Sequence, residues 1–152
     1  MVKTIGIRKA YEAEFSQIVA EMQQYLAGKG FSESDPNTYM EAFFHLPKEA
    51  DENFTVILLN NELAGCMQLS DMNDATVKIE NFFIFNRVQG QGLEKFYLEF
   101  AVDEAKELGK NILLLELPSQ DSQLVQLAAS MGFEKEADRE SNRAVIEWVK
   151  RV

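Results

Sequence analysis

The sequence has one cysteine, one histidine and three prolines among its 152 residues, and no surplus of basic side chains. The single cysteine, Cys66, excludes an internal disulfide; with no secretory start, a reducing, cytoplasmic compartment is the expectation. The single histidine, His45, excludes motifs that need two, such as H-E-x-x-H, and no metal site is expected. Neither G-x-S-x-G nor G-x-x-x-x-G-K-[ST] occurs, which removes the nucleophile elbow and the P-loop. The start, Met1 to Lys9, meets charge too soon for a signal h-region. No apolar run approaches the ~18 residues of a membrane span. Acids outnumber Lys and Arg by 25 to 15, for a formal net charge of -10. Neutralising phosphates needs a basic face, so nucleic acid and anionic membrane surfaces are excluded as partners. A cationic substrate is compatible with that charge.

What is present reads as one globular domain over 1–152, 46% hydrophobic and 26% charged. A first strand is expected at Thr4 to Arg8. A helix follows, its stripe Tyr11, Phe15, Ile18, Val19, Met22 and Leu26, stopped at Gly28-Lys29-Gly30. Asp35-Pro36 caps a second helix that runs to about His45 and carries Tyr39, Met40, Phe43 and Phe44. Pro47 to Asn53 is an acidic loop. Phe54 to Leu59 and Leu63 to Ser70 flank a hairpin turn at Asn60-Asn61-Glu62. Ala75 to Phe85 is a third strand, half-exposed at first and buried on both faces at Phe82 to Phe85. A long helix spans Gln91 to Leu108, with Leu93, Phe96, Tyr97, Phe100, Ala101 and Leu108 inward. Asn111 to Leu117 is a strand and Ser122 to Met131 a short helix. Phe133 to Asp138 and Arg143 to Lys150 form a closing hairpin around Glu140-Ser141-Asn142. The order β-α-α-β-β-β-α-β-α-β-β predicts a mixed, mostly antiparallel α/β sheet of about seven strands with helices on both faces.

The segment from Asn81 to Gly109 carries the chemistry. A buried strand runs into a glycine loop that opens a helix. Gly90 and Gly92 permit close backbone approach. The free N–H groups of the first helical turn, with the helix dipole, favour an anion such as a pyrophosphate. A plain connecting turn is the competing explanation.

Gln89-Gly90-Gln91-Gly92-Leu93-Glu94 resembles the [QR]-x-x-G-x-[GA] signature of the GNAT superfamily of N-acetyltransferases. A rival register from Arg87 matches all three fixed positions, Arg87, Gly90 and Gly92. The Gln89 register is preferred because it keeps a five-residue step from Ile84 and sets Tyr97-Leu98 and Gly109 where the family has its apolar pair and helix end. Leu115 to Asp121 is similar to the family's fifth strand and its following polar residue, and Met131-Gly132-Phe133 to its G-F before the last hairpin.

The resemblance implies a GNAT-like fold and acetyl-CoA as co-substrate. It implies backbone pairing of the pantetheine with Phe82, Phe83 and Ile84, and pyrophosphate held by the loop Gln89 to Glu94, that is Gln89, Gly90, Gln91, Gly92, Leu93 and Glu94. It implies Glu80 as the base that takes the proton of a primary ammonium on a small molecule or peptide. A solvated carboxylate paired with Lys78 is the alternative for Glu80. Arg87 and Lys95 are candidates for cofactor phosphates, or solvated charges. Phe31, Tyr39, Phe43 and Phe44 are candidates for the acceptor pocket, or core. The family's homodimers extend to this chain as an expectation.

Three positions depart from the pattern. Glu94 replaces the last Gly or Ala of the motif and either crowds the phosphate or points to solvent in the first turn. Asp121 stands where the family often has a cofactor-contacting Asn, and it can accept a hydrogen bond or cap the helix at Ser122. Ala128 stands where many members have the tyrosine that protonates the leaving thiolate. The alternative function is therefore a catalytically weak or inactive GNAT-fold binding or regulatory domain. Cys66 and His45 are expected to be a core residue and a helix-end residue.

Overall fold

The computed structural model describes residues 3–28, 53–118, 121–135 and 145–152. The helix expected at Pro36 to His45, most of the acidic loop and the Glu140-Ser141-Asn142 turn lie outside the described residues. The strands are β1 (Ile5–Lys9), β2 (Phe54–Leu59), β3 (Glu62–Asp71), β4 (Thr76–Ile84), β5 (Ile112–Pro118), β6 (Glu134–Lys135) and β7 (Val145–Arg151). The helices are α1 (Phe15–Gly28), α2 (Leu93–Glu107) and α3 (Ser122–Ser130). All seven strands form one sheet in the order β1-β2-β3-β4-β5-β7-β6. Among the described residues only β4 and β5 run parallel, and every other pairing is antiparallel. Helices cover both faces, as expected.

The β2–β3 hairpin turns on Asn60 and Asn61, both at positive φ (52° and 69°), the geometry of a two-residue type I′ turn. The core has two halves. Ile79, Phe82, Ile84, Leu113, Leu115 and Leu117 meet Leu93, Tyr97, Leu98 and Ala101 of α2 and Leu124 and Ala128 of α3. On the other face Phe54, Val56, Cys66, Phe83 and Phe85 meet Ile18, Met22, Tyr25 and Leu26 of α1.

The two lists expose a break in β4. Val77 and Ile79 belong to the α2 side, yet so do Phe82 and Ile84. A regular strand alternates strictly, so one extra residue must intervene. The register supplies it: Gln68 faces Glu80 and Cys66 faces Phe83, two steps on β3 against three on β4. The extra residue is a bulge at Asn81, whose φ is +57°. Asn tolerates the left-handed region better than most residues. Its side chain donates to Gln68 Oε1 at 3.0 Å, and its carbonyl accepts from Cys66 Sγ at 3.2 Å. Cys66 is core, with its thiol pushed well up by burial.

Other expectations are corrected. The long helix begins at Leu93, not Gln91, because Gly92 sits at φ +83° and cannot be helical. Phe96 (43% exposed) and Leu108 (57%) are outside the core stripe; Leu98 and Ala105 are inside it.

The bulge is braced from behind by Gly65. A β-carbon there would lie 2.5 Å from the Phe83 carbonyl oxygen and 2.8 Å from Ile84 Cδ1. Gly65→Ala is therefore expected to destabilise the fold by about 1–3 kcal/mol, the usual cost of overpacking. Urea unfolding midpoints measure this, and an unchanged midpoint would contradict the tight β3–β4 contact.

Candidate active site

β4 and β5 pair only from Thr76–Ile112 to Ile79–Leu115. Beyond that β4 continues to Ile84 beside β3, and β5 continues to Pro118 beside β7. The two strands part, and a seam opens between them. The Phe85 N–H donates to Ala64 at 2.7 Å, which fixes the phase of the β3–β4 ladder. In that phase the backbone groups of Phe83 face β3, and those of Phe82 and Ile84 face the seam. The Ile84 carbonyl there accepts from Gln89 Nε2 at 3.0 Å.

At the mouth of the seam lies the glycine loop. Gly90 and Gly92 both have φ near +80°, and no other group lies within 4 Å of where a β-carbon would stand. Side chains other than glycine would strain this path. The loop delivers the start of α2 with no side chain capping it. Its first-turn N–H groups are thus available to an anion, with the helix dipole behind them.

The cleft at this point has a volume of about 230 Å³, and its lining includes Tyr25, Ile84, Gln89, Glu94, Asp121 and Leu124. Ligand pockets usually run to about 300–1,000 Å³, so this one encloses an arm of a larger ligand rather than the whole. Asp121 is 4% exposed. Its Oδ1 accepts the Leu124 N–H at 3.1 Å, capping α3, and its Oδ2 accepts the Tyr25 hydroxyl. Burial, then the Asp121 carboxylate, hold the Tyr25 hydroxyl well above its ordinary pKa. Glu94 lines the same cleft, and its buried Oε1 has no hydrogen-bond partner among the described residues.

Below the seam, on the α1 face, β4, β5 and β7 present a polar group. Lys78 Nζ lies 2.8 Å from Glu116 and 3.3 Å from Glu147. Glu80 and Glu116 each follow the last paired residues of the two strands, Ile79 and Leu115. Glu80 is half-buried and makes no ion pair among the described residues. Burial works against the Lys78 charge, but the two carboxylates outweigh it and raise its pKa.

The chain matches the model of the acetyltransferase (GNAT) family over residues 16–133. The chain belongs to the GNAT family. Solved structures share its fold. N-acetylglutamate synthase from Neisseria gonorrhoeae, in complex with coenzyme A and N-acetyl-glutamate, superposes with a TM-score of 0.69 at 18% identity, over 97% of this chain and 35% of that one. This chain thus spans about a third of that enzyme's length. A GNAT acetyltransferase from Staphylococcus aureus gives 0.73 at 10% identity, over 97% and 99% of the two chains. Ard1 from Thermoplasma volcanium gives 0.72 at 14%, over 97% of each. No curated protein matches the sequence.

Against the GNAT pattern, the residues expected to act together divide. Ile84, Gln89, Gly90, Gly92, Glu94 and Asp121 line the cleft, Phe82 borders the seam through its backbone, and Gln91 is exposed in the loop; Leu93 is buried in the core, and Phe83 is a correction, because its backbone pairs with β3. Glu80 stands on the polar face below. Arg87 is a correction: it turns from the cleft to Glu21 (3.2 Å) and to the Leu63 carbonyl. Lys95 lines the cleft, 64% exposed. Phe31, Tyr39, Phe43, Phe44 and His45 lie outside the described residues. Ala128 is fully buried in the core. Lys78 is paired with Glu116 and Glu147 rather than with Glu80. Sequence reasoning missed Tyr25, Glu116 and Glu147. The alternation Leu115-Glu116-Leu117 was the available sign for Glu116; nothing local marks Tyr25, which reads as one more apolar position of α1. Among the described residues no group of three or more His, Cys, Asp or Glu could hold a metal, and no helix is long and apolar enough to cross a membrane.

Glu94 is neither of the two things expected of it. It does not simply point to solvent, and it does not close the cleft. An unsatisfied buried acceptor costs about 1–3 kcal/mol, and a first-turn acid returns about 0.3–1. Glu94→Ala is therefore expected to stabilise the protein by about 0.5–2 kcal/mol at neutral pH in chemical denaturation. A loss of stability would mean that the dipole term dominates.

Proposed function

We propose that this GNAT protein is an acetyl-CoA-dependent N-acetyltransferase acting on a primary amine of a small molecule or peptide, by direct attack with both substrates bound. The open seam carries this reading. It offers backbone groups of Phe82 and Ile84 that pair with no strand on the β5 side among the described residues, running into an uncapped helix start. An amide-bearing arm fits the first as an added strand, and a pyrophosphate fits the second. The coenzyme A complex of the gonococcal synthase, which shares the fold, supports the same reading.

Acetyl-CoA supplies the acetyl group on an activated thioester. The seam-facing N–H of Phe82 or Ile84 is placed to donate to the carbonyl oxygen as negative charge develops on it. A primary ammonium, with a pKa of ~10, is almost wholly protonated at neutral pH and must lose a proton before it attacks. Glu80, held by no basic partner among the described residues, takes that proton directly or through water. Lys78 offsets one of the two charges on Glu116 and Glu147, which leaves this face net acidic with Glu80 and suits a cationic acceptor. A thiol with a pKa of ~8.5 gives a tolerable leaving group without a tyrosine at position 128.

Glu94 favours a second reading, a GNAT-fold binding domain without turnover, because its buried carboxylate faces the phosphate end of the cleft. A thermal shift separates the two. Acetyl-CoA at 100 times its Kd is expected to stabilise the protein by ~2.7 kcal/mol. No shift at millimolar acetyl-CoA would reject the transferase. Glu80→Gln is expected to lower kcat by ~10²–10⁴ near neutral pH and by progressively less toward pH 10, where the amine deprotonates unaided. A pH–rate profile identical to that of the native chain would remove Glu80 from the chemistry.

A further inference from the structure

Two carboxylates border a cleft that is proposed to take a polyanion, and they are held differently. Glu94 Oε1 is buried without a partner among the described residues, whereas both oxygens of Asp121 are engaged, Oδ1 by the Leu124 N–H and Oδ2 by the Tyr25 hydroxyl. Tyr25 is 1% exposed and reaches this point from α1, on the opposite face of the sheet from α3. Its ring packs on Phe83 of β4, with centroids 5.6 Å apart. The phenol therefore leans on one lip of the seam and bonds to the other, since Asp121 follows β5 and caps α3. Both residues line the cleft.

An ionised carboxylate accepts hydrogen bonds and cannot donate them. Without the phenol, Asp121 would present less compensated charge to an anionic ligand in a poorly solvated place. A phenol donor bonded to that oxygen disperses the charge and fixes the direction in which the carboxylate points. The phenol itself is a poor acid here. Its pKa is raised by burial and by the neighbouring carboxylates, so a departing thiolate would not take its proton.

We propose that Tyr25 is a cofactor-positioning residue, which clamps Asp121 across the seam so that an acid borders the cleft without repelling the pyrophosphate of acetyl-CoA. This rests on the acetyl-CoA reading. It assigns Tyr25 to binding and not to proton transfer.

Calorimetric titration with acetyl-CoA tests it, on the native chain, Tyr25→Phe, Asp121→Asn and the double variant, with kcat and KM measured alongside. Tyr25→Phe keeps the ring on Phe83 and removes only the donor. It is expected to raise Kd about tenfold or more, with the loss falling on KM rather than kcat. Asp121→Asn is expected to bind at least as tightly as the native chain, because an amide needs no charge dispersed. The double variant is expected to recover to within about threefold of native. A Tyr25→Phe Kd within twofold of native overturns the proposal, as does a double variant no better than Tyr25→Phe. A loss confined to kcat also overturns it, by moving Tyr25 to the chemical step. Where Tyr25→Phe does not fold, Asp121→Asn decides: binding tenfold weaker than native refutes the clamp. A native chain that fails to bind acetyl-CoA overturns the acetyl-CoA reading and the clamp with it. Native binding that Tyr25→Phe leaves unaltered overturns the clamp alone.

Discussion

The site depends on a single residue of backbone, the extra one at Asn81. Before it, β4 keeps its apolar side chains toward α2 and pairs with β5 for four residues. After it the facing is reversed, β4 follows β3 and leaves β5, and the seam opens. Without the bulge Phe83 and Phe85 would be driven under α2, and Phe82 and Ile84 would lie under α1. The bulge is held by contacts that belong to it alone: the Asn81 amide on Gln68, the Asn81 carbonyl on Cys66, and the absence of a side chain at Gly65. Cys66 therefore contributes as a packed sulfur and weak donor, and its chemistry as a nucleophile is suppressed by the same burial.

Net charge and site charge make opposite demands. The chain carries -10 overall, and the ligand proposed for it is a polyanion. Few basic side chains are there to reconcile the two: among the described residues Arg87 is committed to Glu21 and the Leu63 carbonyl, and Lys95 lines the cleft mostly in solvent. The compensation is made by the backbone. Two left-handed glycines and an uncapped helix start supply N–H donors whose strength does not depend on the sign of the surface around them. Such donors act only at close range, so the surrounding acids can still attract a cation to the polar face. A protein can in this way carry an anion site and a cation-attracting field within one domain.

The sequence exposed the parts of this arrangement that are local. Periodicity showed the strands and helices, Asn60-Asn61 the hairpin, and Gly90 and Gly92 the loop, because each is written in adjacent residues. The bulge was not legible. Asn81 sits in a run that reads as one continuous strand, and only the pairing of β3 against β4 exposes the surplus residue. The length of α2 was overread for the same reason: the 3.6-residue pattern says nothing of the φ of Gly92. Tyr25 was hidden most completely. Its partner is 96 positions away, and no spacing rule connects a residue of α1 to the cap of α3. Arg87 failed in the opposite direction, since proximity in sequence to the loop did not decide which way a long side chain would turn.

The loss of a tyrosine at position 128 is better understood beside Tyr25 than alone. Ala128 is fully buried against the sheet, so that position now serves packing. A hydroxyl still borders the cleft, but its hydrogen is donated to Asp121, and its surroundings keep it protonated. An acid catalyst needs a pKa near that of the group it protonates; Tyr25 is held far from it. The chemistry available to this cleft is accordingly asymmetric. Removing the proton from an ammonium of pKa ~10 needs a placed base, while expelling a thiolate whose conjugate acid has a pKa of ~8.5 does not need a placed acid. On the proposed reading, a carboxylate on the acceptor side and a phenol that serves binding retain the half of acid–base catalysis that the reaction can least do without.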